Sequence, residues 1–166
     1  MNLYLMRHAI AAEPDGITAD SQRALTEKGR SKLRLIASAL GKLDLHFDLI
    51  LTSPYLRARQ TADLVANTLK VQSDCVFVSE NLTPLDLGAQ LVDEINTHEQ
   101  VENLLVVGHE PTLSQLIGIL VAGDASLGIQ MKKGGLCKLL TGKLTYGRCA
   151  TLEWLLTPAQ LMAMQD

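Results

Sequence analysis

Three short apolar runs interrupt an otherwise mixed chain, and each stops on side chains able to do chemistry. Leu3-Tyr4-Leu5-Met6 leads into Arg7-His8-Ala9, and Asp48-Leu49-Ile50-Leu51-Thr52 leads into Ser53-Pro54-Tyr55-Leu56-Arg57-Ala58-Arg59. Asn103-Leu104-Leu105-Val106-Val107 leads into Gly108-His109-Glu110-Pro111. Runs of this length without polar alternation are expected to be strands buried on both faces. Between them the period becomes helical. Leu33, Ile36, Ala37 and Leu40 recur at i, i+3, i+4, i+7 behind a capping Thr26 with Glu27 in the first turn, and Gly41 is expected to close that helix. Ala58, Ala62, Val65 and Leu69 form a second stripe, with Ser53 predicted as its N-cap and Pro54 as its first residue. Thr83-Pro84-Leu85-Asp86 reads as a capping box opening a third helix, whose apolar face is Leu87, Leu91 and Ile95. Leu113, Leu116, Ile117 and Leu120 mark a fourth after Glu110-Pro111, and Thr157-Pro158 starts a short last one. Residues 75–78, 136–140 and 150–155 read as further strands, whereas 11–25 and 122–134 are turn-rich loops, the first beside the strand ends.

Strands alternating with helices predict the α/β class. The expectation is one three-layer α/β/α domain over residues 1–166, with a mainly parallel sheet, helices on both faces and an antiparallel edge strand. Ligands of open α/β sheets bind in the crevice beyond the carboxyl ends of the strands. His8, Arg57 and His109 are therefore expected to meet.

Composition narrows the function classes. At 166 residues the chain is long enough for one substantial core, and its 47% apolar content is that of a globular protein. A net charge of −3 argues against a nucleic-acid partner or an anionic membrane surface. No segment is long and apolar enough to span a bilayer, and Arg7 follows a very short apolar run where a secretory leader would have its charge first. A cytoplasmic location is expected. Cys75, Cys137 and Cys149 show no C-x-x-C spacing and read as small buried residues of strands in a reducing compartment.

Arg57 and Arg59 both fall in the first turn of a helix, where a cation faces the positive end of the dipole. An anion bound at that end would relieve the conflict. Residues two apart point to different faces, so Arg57 is assigned to the crevice and Arg59 to solvent. His8 and His109 each follow a buried strand directly; His46 and His98 lie among polar neighbours and are read as structural. A metal pair is the competing reading, yet arginine beside a cation is unfavourable and metal sites want further carboxylates or imidazoles. No metal and no cofactor are therefore expected. A neutral imidazole is a competent nucleophile at phosphorus, and Arg7, Arg57 and a protonated His109 can meet the charge on the phosphoryl oxygens.

These residues resemble the histidine phosphatase (phosphoglycerate mutase-like) superfamily. The resemblance is carried by Leu5-Met6-Arg7-His8-Ala9, by Arg23-Ala24-Leu25-Thr26-Glu27-Lys28-Gly29, by Thr52 through Ala62 and by Val107-Gly108-His109-Glu110-Pro111, in the family's order over most of the chain. It implies a phosphoglycerate mutase-like fold and a phosphorylated nucleophile at His8. It further implies that Arg7, Arg57 and His109 bind and stabilise the phosphoryl group, with Arg23 as a further phosphate-side residue. Within the family the short chain and Ser-Pro-Tyr-Leu-Arg-Ala segment look closest to SixA-type bacterial phosphohistidine phosphatases, which remove phosphate from a histidine on a phosphotransfer protein. Ala9 stands where the family usually has glycine. The carboxylate that many members use as general acid is matched by no motif; Glu80, Asp86 and Glu110 are the candidates.

The expected partner is thus a phosphohistidine-bearing protein or a small phosphorylated substrate. Little length is spare for a lid, which suits a protein-borne group. An imidazole leaving group also needs less acid assistance than an alkoxide. A non-catalytic phosphoprotein-binding module and a metallohydrolase are the alternatives from other classes.

Overall fold

The central strand β1 (Asn2–Arg7) buries both its faces, Leu3 and Leu5 against one apolar cluster and Tyr4 and Met6 against the other. The protein is described by a computed structural model covering residues 1–84, 88–98 and 100–164. The elements that follow are α1 (Glu27–Lys42), β2 (Leu49–Thr52), α2 (Leu56–Leu69), β3 (Val76–Val78), α3 (Ala89–Asn96), β4 (Asn103–Gly108), α4 (Thr112–Ala122), β5 (Leu136–Thr141), β6 (Ala150–Leu156) and α5 (Pro158–Ala163). The six strands form one sheet in the order β3-β2-β4-β1-β5-β6. Helices α1, α2 and α5 cover the face of Tyr4 and Met6, while α3 and α4 cover that of Leu3 and Leu5. The arrangement is the α/β one with helices on both faces expected from the sequence.

Strands β3, β2, β4 and β1 are mutually parallel, β5 runs antiparallel to β1, and the edge strand β6 pairs antiparallel with β5. The antiparallel pairing expected at the edge is that of β6 with β5, because the 142–149 turn returns the chain directly alongside β5. Register places Arg7 opposite Gly108 and Thr52 opposite Val107, which brings the carboxyl ends of β2, β4 and β1 side by side.

Several boundaries differ from the sequence reading. Thr26 caps α1 as expected, its Oγ1 accepting from Gly29 N at 3.0 Å, but the helix runs past Gly41 to Lys42. Helix α2 begins at Leu56 with Tyr55 as N-cap, so Ser53 and Pro54 are not its cap and first residue. The Ser53 hydroxyl is instead engaged by a distant side chain, as described below. The Thr83 capping box does not open α3: Thr83 ends a 3-10 turn over Glu80–Leu82, and the helix starts after Gly88, which is left-handed at φ 79°. Leu91 and Ile95 are buried on that helix as expected, whereas Asp86 and Leu87 lie outside the described residues. Strand β3 starts at Val76, and Cys75 belongs to a 3-10 turn. Of the three free cysteines only Cys137 is buried in a strand; Cys75 and Cys149 are half-exposed.

Candidate active site

Position 8 is fixed by the end of β1. Its backbone N–H donates to Gly108 O at 3.0 Å, so the chain leaves the sheet locked to β4. The next residue, Ala9, donates its N–H to Thr61 Oγ1 at 3.1 Å, and Thr61 Oγ1 donates to Arg57 O at 2.7 Å. Thr61 thereby ties the end of β1 to the first turn of α2. Ala9 is not among the described residues with positive φ, so alanine sits there without left-handed strain.

Gly29 is required by close approach. Ile10 O accepts from Thr26 N at 3.0 Å, and a Cβ on Gly29 would lie 2.1 Å from that same oxygen. The first turn of α1 therefore seats directly on the chain leaving His8.

His8 and His109 face each other with ring centroids 5.1 Å apart. The His8 Nδ1 lies 2.7 Å from Ala9 O, a carbonyl that can only accept, so Nδ1 carries the proton. Its Nε2 takes a hydrogen bond from Arg57 Nε at 3.2 Å, so that nitrogen holds a free electron pair. The two contacts assign the same tautomer independently. Burial, joined by the positive charges of Arg57, Arg7 and Lys133, lowers the His8 pKa to about 4. The ring is a neutral base at physiological pH.

His109 is held from the opposite side by Ser53, whose Oγ is 2.8 Å from its Nε2, and by the edge of the Tyr55 ring at 5.1 Å. Tyr55 also lies under the Arg57 guanidinium, 4.9 Å from ring centroid to Cζ. Burial, then the nearby His8 and Arg57, lower the His109 pKa to about 3, with Asp20 acting in the other sense. Burial first, and then the neighbouring cations, favour a neutral ring in this pocket, whereas the sequence reading expected a protonated His109 facing a phosphoryl group. A neutral ring still donates from one nitrogen. If Ser53 gives its hydroxyl proton to Nε2, Nδ1–H is the remaining donor.

Arg57 is 4% exposed and sits in the first turn of α2, as its place in the sequence requires. Its Nη1 donates to Asp20 O at 2.6 Å and its Nη2 to Asp20 Oδ2 at 3.0 Å. Arg59, two residues on, is exposed and lines a separate groove with Asp63. Arg7 is half-buried and donates from Nη1 to Met131 O at 2.8 Å. Arg23 donates from Nε to Asp20 Oδ1 at 2.7 Å and from Nη1 to Ala12 O at 2.6 Å.

Arg7, His8, Arg23, Arg57 and His109 line one pocket of about 290 Å³. Loop residues Glu13, Pro14 and Asp20, together with Lys133, complete its rim. Glu13 and Lys133 approach to 4.0 Å with side chains 84% and 36% exposed, so the rim faces solvent. Of the three carboxylates considered as acid, Glu110 lines the pocket but accepts from Ser114 N at 3.2 Å, Glu80 is exposed and lies off the pocket, and Asp86 is outside the described residues.

Ser53 and Asp20 were not singled out by their sequence context. Ser53 carries the local signature of a cap, and Asp20 lies in an unpatterned loop. Two buried nitrogens of the pocket residues, Arg7 Nε and His109 Nδ1, have no hydrogen-bond partner among the described residues. Orphaned buried polar atoms are rare, and these are the atoms an oxyanion would satisfy. Among the described residues no group of three or more His, Cys, Asp or Glu side chains is arranged to hold a metal ion. No described helix is long and apolar enough to cross a membrane.

Comparison with known proteins agrees with this geometry. A family model described as the histidine phosphatase superfamily (branch 1) matches residues 3–90. The phosphohistidine phosphatase SixA of Escherichia coli K12 is 34% identical over 126 residues, covering 75% of this chain and 76% of SixA. An uncharacterized protein of Picosynechococcus is 38% identical over 145 residues, covering 86% of each chain. The solved structure of the protein histidine phosphatase SixA complexed with tungstate superposes with a TM-score of 0.85 at 27% identity, covering 97% of this chain and 99% of that one. The chain belongs to the histidine phosphatase superfamily, and its SixA-like fold supports phosphatase activity.

Proposed function

We propose that the protein hydrolyses phosphohistidine on a phosphotransfer protein through a phosphorylated His8, without a metal. The observation that carries this reading is the His8 tautomer: Nδ1 is tied to Ala9 O, leaving the Nε2 electron pair on the pocket side beside Arg57. Nε2 attacks phosphorus, a P–N bond to His8 forms, and the P–N bond to the substrate imidazole breaks. The departing ring takes a proton from water on its other nitrogen and leaves neutral. Once Nε2 is phosphorylated, Arg57 Nε–H has lost its acceptor and turns to a phosphoryl oxygen. Arg7 Nε and His109 Nδ1, both buried and unpartnered, are the other donors suited to those oxygens. Water then attacks phosphorus, the P–N bond to His8 breaks with the electron pair returning to Nε2, and orthophosphate departs with the second water proton released to solvent.

Three features support the substrate class. The rim is built from solvent-facing side chains, which admits a group carried on a protein surface. Of the described carboxylates lining the pocket, Asp20 is tied to two arginines, Glu110 accepts from a backbone N–H and Glu13 sits at the exposed rim near Lys133, and an imidazole leaving group needs little acid assistance. The SixA relative is named for phosphohistidine, and a solved SixA structure holds tungstate, a tetrahedral oxyanion of phosphate's shape.

The test is a phosphoenzyme trap. Brief exposure to a ³²P-phosphohistidine protein should give an acid-labile, base-stable label that disappears in His8→Ala. Binding without label would make the protein a phosphoprotein-binding module. A marked preference for one small phosphate ester would overturn the substrate assignment while keeping the chemistry.

A further inference from the structure

Asp20 is the loop residue that reaches furthest into the pocket's chemistry. It offers Arg57 two acceptors at once, its own backbone oxygen to Nη1 at 2.6 Å and Oδ2 to Nη2 at 3.0 Å. Its other carboxylate oxygen, Oδ1, lies 2.7 Å from Arg23 Nε and 2.5 Å from Arg23 Nη2. One carboxylate thus bridges two guanidinium groups that would otherwise repel.

We infer that Asp20 is a positioning residue for catalysis, fixing the Arg57 guanidinium so that its Nε edge faces His8 Nε2 and the phosphoryl group forming there. The inference rests on the proposed phosphohistidine chemistry at His8. A guanidinium is planar and donates from two edges. Asp20 occupies the Nη1–Nη2 edge, so the Nε–Nη2 edge turns toward the nucleophile, where Nε is 3.2 Å from His8 Nε2. Among the described residues Asp20 alone supplies a side-chain acceptor on that edge of Arg57, and the Tyr55 ring beneath it restrains the plane without choosing its rotation. Asp20 is not the missing proton donor. Burial raises its pKa, but the hydrogen bonds and charges of Arg23 and Arg57 outweigh this and hold it ionised below the usual carboxylate range. Its two oxygens accept, and it has no proton to give.

The role is separable from simple structural support, because Asp20 sits in a loop with its side chain 53% exposed. The experiment is a double-mutant cycle in kcat and KM with a phosphohistidine protein as substrate, run on Asp20→Ala, Asp20→Asn, Arg57→Ala and the Asp20→Ala/Arg57→Ala pair, with Tm measured for each. Asp20→Ala should lower kcat about tenfold or more with KM changed less than about threefold. Asp20→Asn, which keeps an oxygen acceptor, should recover part of the loss. In the Arg57→Ala background the Asp20 substitution should change kcat by less than about twofold, since no guanidinium remains to position. Wild-type kcat in Asp20→Ala overturns the inference, as does an undiminished further loss on top of Arg57→Ala, or a loss that tracks a fall in Tm. The wild-type phosphoenzyme trap is run alongside: absence of label at His8 refutes the chemistry itself, whereas label with a failed cycle refutes only Asp20's part in it.

Discussion

Arg57 Nε donates to His8 Nε2 across 3.2 Å, joining the first turn of α2 to the end of β1 through residues 49 positions apart. The contact occupies the Nε2 electron pair, the one proposed to attack phosphorus, and holds a charged donor beside it. Arg57→Ala should therefore lower turnover about a hundredfold to a thousandfold, the usual cost of losing an oxyanion donor. Exposed Arg59, pointing into another groove, should tolerate alanine within about twofold. Steady-state kinetics of the two variants side by side check this; equal losses would contradict the orientation of α2.

Acidity should affect activity later than a free imidazole would suggest. His8 must be neutral to attack, and its pKa is lowered to about 4 from an ordinary 6.5. The acid limb of kcat/KM should fall near pH 4 and not near 6.5. Stability responds earlier on acidification. Below pH 6.5 the unfolded chain binds a proton at His8 that the folded chain refuses, so stability is intact above 6.5, declines as pH falls toward 4, and levels off beneath it. The loss from this residue alone is about 3 kcal/mol. Denaturant unfolding at pH 7 and pH 4 should show a smaller decline in His8→Asn than in wild type.

Ser53→Ala removes the hydroxyl 2.8 Å from His109 Nε2 and frees that ring to rotate. Turnover should drop about tenfold to a hundredfold through misplacement of the ring, with about 1–3 kcal/mol lost in stability from a buried nitrogen left unpaired. Kinetics and urea midpoints on the same preparation separate the two effects.

Gly29→Ala tests the seat of α1. Its new Cβ would lie 2.1 Å from Ile10 O, a backbone atom with no rotamer to change, so the helix must move. A destabilisation of about 2–3 kcal/mol is expected in chemical unfolding, together with reduced activity because the same segment leads from His8.

The pocket's arginines make it a site for an oxyanion. Vanadate should compete with substrate as a mimic of five-coordinate phosphorus, and prolonged chelation should leave turnover unchanged. Loss of activity on chelation, restored by one divalent ion, would point to the metallohydrolase reading.

The sequence made the strand ends legible because buried parallel strands have an unmistakable signature and a topological rule says where their ligands sit. That rule points to Arg7, His8 and His109; Arg57 needed the helix-face argument as well, and the roles of all four rest on the family resemblance. Thr83 and Ser53 misled because a local capping signal is weaker than a tertiary partner: Ser53 spends its hydroxyl on a histidine 56 residues away. Gly88 starts α3 from a left-handed conformation that no capping pattern announces. Asp20 was illegible for another reason. Its acceptors matter only once residues 12, 23 and 57 converge, and loop 11–25 has no period from which that convergence can be read. The charge state of His109 depends likewise on how many cations surround it in space.

The pairing of Arg7 with Gly108 and of Thr52 with Val107 has a temporal consequence. Strand β4 lies between the two older strands, so during synthesis β1 and β2 must wait for a segment made some fifty residues after β2 before they acquire their common neighbour. Until then the imidazole of residue 8 has no partner ring from residue 109. On the proposed chemistry, the pocket can form only after β4 has been made.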